Sequence, residues 1–184
     1  MKVKKMDTIE YSTRDTEIIS KIKTISEEAK PEDCYTCLKC TNGCPAAKLF
    51  EEFAPHKIQV AAHMGFIDEL INSGILWYCF TCYTCQTRCP QKTSPVQTIM
   101  SLTNIAVSWG ISPPKIYPEM IKTISEEGAI LKPREVSTID FDFLSRDDLD
   151  LPERGIKNPT QFKEALKVVG LNEILALKES EVQK

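Results

Sequence analysis

Apolar residues recur along this chain at spacings of three and four, the period of a helix with one buried face. Ile18, Ile22, Ile25 and Ala29 line one side of a predicted helix from about Asp15 to Ala29, with Thr13 a candidate cap and Pro31 its stop. Pro45 opens a predicted helix through Ala46, Ala47, Leu49 and Phe50, and Pro55 opens another through Ile58, Ala61 and Ala62 that stops near Gly65. A short helix with Ile67, Leu70 and Ile71 follows, and Ser73-Gly74 turns the chain toward Trp77. Ser94-Pro95-Val96-Gln97 reads as a capping box with proline at the first helical position. The helix behind it carries Val96, Ile99, Met100, Thr103, Ala106 and Val107 on one face and ends at Gly110.

Past a proline-rich hinge from Ser112 to Pro118, a short helix spans Glu119 to Glu127 and ends at Gly128. The pattern then changes. From Ile139 to Glu153 the chain holds six acids (Asp140, Asp142, Asp147, Asp148, Asp150, Glu153) against one base, Arg146. Ile139, Phe141 and Phe143 alternate with acids, so an extended segment would present one apolar edge, either as a solvated loop or as a docking segment. Asn158-Pro159-Thr160-Gln161 caps a last helix with Phe162, Ala165, Leu166 and Val169 on its apolar side; Gly170 breaks it, and Ile174, Leu175 and Leu177 extend the apolar surface.

All eight cysteines fall into two copies of one pattern. Cys34, Cys37, Cys40 and Cys44 precede Pro45, and Cys79, Cys82, Cys85 and Cys89 precede Pro90, each cysteine 45 residues after its counterpart. C-x₂-C-x₂-C-x₃-C-P is the run of two-cluster bacterial ferredoxins, whose fourth cysteine ligates the other cluster. Three thiolates at short spacing wrap one side of a cubane, and a distant segment supplies the fourth. The expected ligand sets are therefore Cys34, Cys37, Cys40 and Cys89 for one 4Fe–4S cluster, and Cys79, Cys82, Cys85 and Cys44 for the other. With no strand pair evident around them, the expected fold is mainly α: a helical ferredoxin-like core binding two clusters, with helical N- and C-terminal arms. The expected division is 1–30 for the first arm, 31–128 for the cluster domain and 129–184 for an acidic, partner-docking segment with its helix.

Zinc and disulfides are the competing uses of cysteine. Structural zinc takes two separated ligand pairs, whereas each group here has three clustered cysteines plus one. Disulfides need an oxidising compartment, and MKVKKMDTIEYS carries no apolar signal core, so a cytoplasmic chain is expected. A net charge of −3 without a basic face argues against nucleic-acid binding. No G-x-G-x-x-G marks a dinucleotide site, and the most apolar window, Ile99 to Ile111, is interrupted too often to span a bilayer. No nucleophile motif stands out, so no catalytic residue is assigned and the chain reads as an electron carrier.

Tyr35, Phe80 and Tyr83 lie between the cysteines, with Trp77 and Tyr78 just before the second group, and they read as packing that shields the clusters from water. Lys39 and Arg88 sit beside ligands, as counter-charges or as solvated side chains. His56 and His63 share a helix face and read as ordinary surface or packing histidines.

With the two cysteine groups, the Pro55 helix, the Gly65 turn and Trp77-Tyr78-Cys79 in view, the chain resembles the C subunit of heterodisulfide reductase from methanogenic archaea, over roughly Lys30 to Gly110. That resemblance implies a non-catalytic electron-transfer subunit of a soluble complex active in methanogenesis. Its partners would be the flavoprotein of the complex (the A subunit) and the catalytic protein with cysteine-rich CCG motifs (the B subunit), which reduces the coenzyme M–coenzyme B heterodisulfide. A hydrogenase or formate dehydrogenase would feed the complex indirectly. The other readings are an iron–sulfur subunit of another anaerobic oxidoreductase, of the glycerol-3-phosphate dehydrogenase or fumarate type, a freely diffusing ferredoxin, and a cluster sensor or zinc-stabilised interaction module.

Overall fold

The structure is a computed structural model that describes residues 15, 17–111, 113–132, 134–152 and 155–171. The candidate positions Thr13, Ser112, Glu153, Ile174, Leu175 and Leu177 lie outside the described residues. The described part is mainly helical and divides into two units, Met1–Gly110 and Ile111–Lys184.

The first unit holds helices α1 (Ile18–Ile25), α2 (Lys39–Asn42), α3 (Pro45–Leu49), α4 (Pro55–Met64), α5 (Ile67–Ser73), α6 (Thr84–Thr87) and α7 (Pro95–Ser108). Prolines stand at the first position of α3, α4 and α7, where a missing N–H costs nothing and the fixed φ favours helix entry. α4 ends in the left-handed region at Gly65, φ +83°, with Gly65 N donating to Ala62 O and Phe66 N to Ala61 O. Gly65 O in turn accepts from Asp15 N at 2.8 Å. A Cβ at Gly65 would stand 2.5 Å from Asp15 O, so this turn needs glycine twice over, for its φ and for the close approach.

α7 is the central helix and packs on α1, α4, α5 and α6. Its buried side is displaced from the face expected: Thr98, Ser101, Leu102 and Ile105 are buried along with Val96, Ile99 and Ala106, whereas Met100, Thr103 and Val107 are only half-buried. The more solvated stripe runs through Met100, Thr103, Asn104, Val107 and Ser108, and the polar Thr98 and Ser101 on the buried side disguise it in the sequence. The expected capping box does not form either. Ser94 is left-handed at φ +47° and its buried hydroxyl makes no side-chain cap. Of the face expected for α1, Ile18, Ile22 and Ala29 are buried and Ile25 is exposed; the helix ends at Ile25, short of the expected Ala29.

The second unit holds α8 (Ile116–Glu127), the two-stranded antiparallel pair β1 (Val136–Ser137) and β2 (Phe143–Leu144), and α9 (Pro159–Val168). α8 thus groups with the C-terminal residues and not with the cysteine-bearing unit. Asn158 caps α9 as its sequence predicts, its Oδ1 accepting from Gln161 N at 3.2 Å. The alternating segment is not extended as expected: only Phe143 lies in a strand, Ile139 to Phe141 form the turn between β1 and β2 with Phe141 left-handed at φ +65°, and Ile139 is 94 % and Phe141 83 % exposed. On α9, Leu166 is buried while Ala165 and Val169 of the same expected stripe are exposed.

Candidate metal centre

Each cysteine group is bent by the same device. Thr36 and Leu38 take positive φ (53° and 64°), and their counterparts Thr81 and Tyr83 do the same (48° and 60°). A side chain in the left-handed region costs energy, and such residues gather where function demands a particular loop shape. Here the reversal of handedness between successive cysteines curls the loop, so the sulfurs turn toward one concave side. It also brings backbone amides onto sulfur: Thr36 N donates to Cys34 Sγ at 3.5 Å, and Thr81 N to Cys79 Sγ at 3.4 Å. The short helices that follow, α2 and α6, pack on each other. Cys40 and Cys85, one from each, meet Val96 in a small buried cluster flanked by Cys79 and Met100.

Two cavities result. The first, about 330 Å³ of space partly open to solvent, is lined by Cys34, Cys37 and Cys40 from the first group and by Cys89 from the second. The second, about 310 Å³, is lined by Cys79, Cys82, Cys85 and Cys44. Neither lining contains a carboxylate, and no two of the eight cysteines form a disulfide. Four thiols without hard oxygen donors suit a soft iron–sulfur group.

Residues 30–93 match the family described as 4Fe-4S dicluster domain. The chain carries a 4Fe-4S dicluster domain. Such a domain holds two 4Fe–4S clusters, and eight cysteines are the number that two clusters require. The chain is also similar to the C subunits of archaeal heterodisulfide reductases. It is 34 % identical to the C subunit of the ferredoxin:CoB-CoM heterodisulfide reductase of Methanosarcina acetivorans, over 58 % of this chain and 47 % of that one. It is 35 % identical to the C subunit of the H(2):CoB-CoM heterodisulfide,ferredoxin reductase of Methanothermobacter thermautotrophicus, over 54 % and 53 %. It is 32 % identical to the iron-sulfur C subunit of the CoB-CoM heterodisulfide reductase of Methanopyrus kandleri, over 52 % and 49 %. The chain thus spans about half the length of the relatives it matches. Among the described residues, no helix is long and apolar enough to cross a membrane.

Within the dicluster domain the thiols are not equivalent. Burial pushes Cys85 up to about 12, helped by Cys79 nearby, and burial also raises Cys79 and Cys40. Metal binding displaces the thiol protons, so loading these sites releases protons. Exposed Cys82 is lowered by hydrogen bonding from Thr84, whose hydroxyl lies 3.4 Å from its sulfur. Cys89 is raised by burial, yet bonds from the Thr93 hydroxyl and amide more than offset that and hold it below its usual value.

The first cavity has polar surroundings that no motif announced. His56, at the start of α4, stands in its wall, with Nδ1 2.7 Å from Thr41 Oγ1. Thr41 Oγ1 lies 4.0 Å from Cys40 Sγ. Burial and then Lys57 lower the His56 pKa, so the ring is neutral at neutral pH. His63, on the same helix, is exposed. One turn along α4, Gln59 is fully buried and its Nε2 reaches both Thr93 O (3.2 Å) and Thr93 Oγ1 (3.1 Å). Gln59 sits between buried Ile58 and Ala62 on the apolar side of α4, a polar residue in an otherwise apolar row. Arg88 folds over Gly43, where a Cβ would meet its Cδ at 2.6 Å. Tyr35, Phe80 and Tyr83 remain largely exposed, and Phe50 stacks on Tyr78 at 4.4 Å.

Proposed function

We infer that this chain is the electron-transfer subunit of a cytoplasmic heterodisulfide reductase complex. It would relay electrons from a flavoprotein to a CCG-motif protein that reduces the coenzyme M–coenzyme B heterodisulfide, with a hydrogenase or formate dehydrogenase upstream. The observation that carries the reading is the sorting of eight thiols into two adjoining four-cysteine cavities. In this reading Cys34, Cys37, Cys40 and Cys89 hold one cluster of a helical ferredoxin-like core, and Cys44, Cys79, Cys82 and Cys85 hold the other. When bound, each cluster accepts and passes on one electron.

The chain's own contribution is placement and environment. Exchange of the fourth cysteine crosslinks the two loops through metal, and the contact of α2 with α6 keeps the sites adjacent. Each set has one exposed cysteine, Cys37 in the first and Cys82 in the second. Each cluster therefore has an edge near the surface where a redox partner can approach, and electrons would enter at one edge and leave at the other. The exposed apolar edge of Ile139, Phe141 and Phe143 amid acids supports a docking role for the C-terminal residues.

The test is an anaerobic native pull-down of the chain, with partners identified by mass spectrometry and metals counted. The expected result is co-purification with a flavoprotein and a CCG-motif protein. About eight iron atoms per copy should remain after subtracting those of the partners. Recovery with another dehydrogenase, or alone with zinc, would overturn it.

A further inference from the structure

We propose that Thr93 and Gln59 form a potential-setting pair, in which Gln59 fixes the Thr93 hydroxyl as a donor to Cys89 Sγ and so favours the reduced state of the cluster that Cys89 ligates. The inference rests on the two-cluster reading above and adds to it a residue pair outside the cysteine motif.

The argument is one of donors and acceptors. Thr93 O can only accept, so the Gln59 atom 3.2 Å from it must be the amide nitrogen. The second proton of that nitrogen then points to Thr93 Oγ1, 3.1 Å away. With its oxygen accepting from Gln59, the hydroxyl has one proton left to give. Cys89 Sγ lies 3.3 Å from Oγ1 and also receives Thr93 N at 3.4 Å. A cysteine bound to iron has no proton of its own, so the hydroxyl is the donor there. Gln59 is 0 % and Thr93 1 % exposed, so water does not compete for this arrangement.

Adding an electron makes a cluster and its sulfurs more negative, and a hydrogen bond to sulfur stabilises that added charge. The effect is large where solvent is excluded, because the surroundings are weakly polarisable. Nothing equivalent stands at the related position of the other half. The residue four places after Cys44 is Lys48, which is exposed. The hydroxyl near the second set, Thr84 at Cys82, belongs to an exposed pair that water can replace. Thr41 near Cys40 is divided between sulfur at 4.0 Å and the His56 ring at 2.7 Å. The Thr93 hydroxyl is therefore a buried donor committed to one cysteine.

The experiment is an EPR-monitored dithionite titration of the full, cluster-loaded chain and of Thr93→Val, Thr93→Ser and Gln59→Leu, each with iron counted. Thr93→Val should keep its iron while the midpoint of one cluster falls. A tenfold change in its oxidised-to-reduced ratio corresponds to about 59 mV. The other cluster should not move, and Thr93→Ser should restore the original value. Gln59→Leu leaves the hydroxyl free to turn and should shift the same cluster by less, which keeps the idea testable if the valine variant fails to load. Unchanged midpoints in fully loaded Thr93→Val, or a serine variant as shifted as the valine one, would overturn the proposal alone. A wild-type chain with iron for fewer than two clusters would overturn the reading beneath it as well.

Discussion

At the scale of single residues, the ligand assignment turns on Cys89. It lies in the second cysteine group in sequence but lines the cavity of the first. Cys89→Ala should therefore disturb the cluster of Cys34, Cys37 and Cys40 and spare that of Cys79, Cys82 and Cys85, leaving roughly four of about eight iron atoms. EPR of the reduced variant would show which signal is lost, and loss of the second group's signal alone would refute the exchange of ligands. The eight cysteines were legible because iron chemistry fixes their spacing, and the 45-residue offset doubled the signal. Thr93 and Gln59 were not, because they meet across 34 positions of sequence, and only packing of α4 joins them. His56 was misleading for the same reason. Its neighbour Thr41 is 15 residues away, so nothing local set it apart from a surface histidine.

At the scale of elements, several boundaries set by rigid backbone chemistry were readable, but α8 begins at Ile116 and holds Pro118 in its first turn, where a hinge was expected, and boundaries set by packing were not readable. Pro45, Pro55 and Pro95 each begin a helix, and Gly65 and Gly128 each end one in the left-handed region. These residues act through their own φ, whatever surrounds them. The buried face of α7 and the shape of Ser94 depend on several neighbouring elements, which a local pattern does not encode. Gly65 offers the sharper test, since α4 presents both His56 and Gln59 and is stopped there. Gly65→Ala must adopt φ +83° and set a Cβ against the Asp15 carbonyl, at a cost of about 1–3 kcal/mol. Gly43→Ala has an ordinary φ of −96° and meets only the flexible Arg88 side chain, so it should be much milder. Thermal bleaching of cluster absorbance should occur several degrees lower for Gly65→Ala than for Gly43→Ala, and the reverse order would contradict this account of the turn.

At the scale of the whole molecule, the eight cysteines and both cavities lie within Met1–Gly110, while the apolar hairpin lies in Ile111–Lys184. If the proposed docking role holds, cluster binding and partner binding use different stretches of chain and should separate on cutting. A chain ending at Gly110 should still take up about eight iron atoms, because every sulfur and the α4–α7 core behind them remain. It should recover less flavoprotein and CCG-motif protein in an anaerobic pull-down. Ile139→Ser with Phe141→Ser in the full chain is the finer version. Both side chains already face solvent, so their loss costs the fold little. If they anchor a partner, truncating each removes about 2 kcal/mol or more of binding, which is a weakening of well over tenfold for the pair. Two outcomes decide the matter. Full iron with weakened recovery in both variants would make the hairpin a docking element. Full iron with recovery unchanged would move the partner surface onto the cluster-bearing residues, where exposed Tyr35, Phe80 and Tyr83 border the cavities and would be the next side chains to replace.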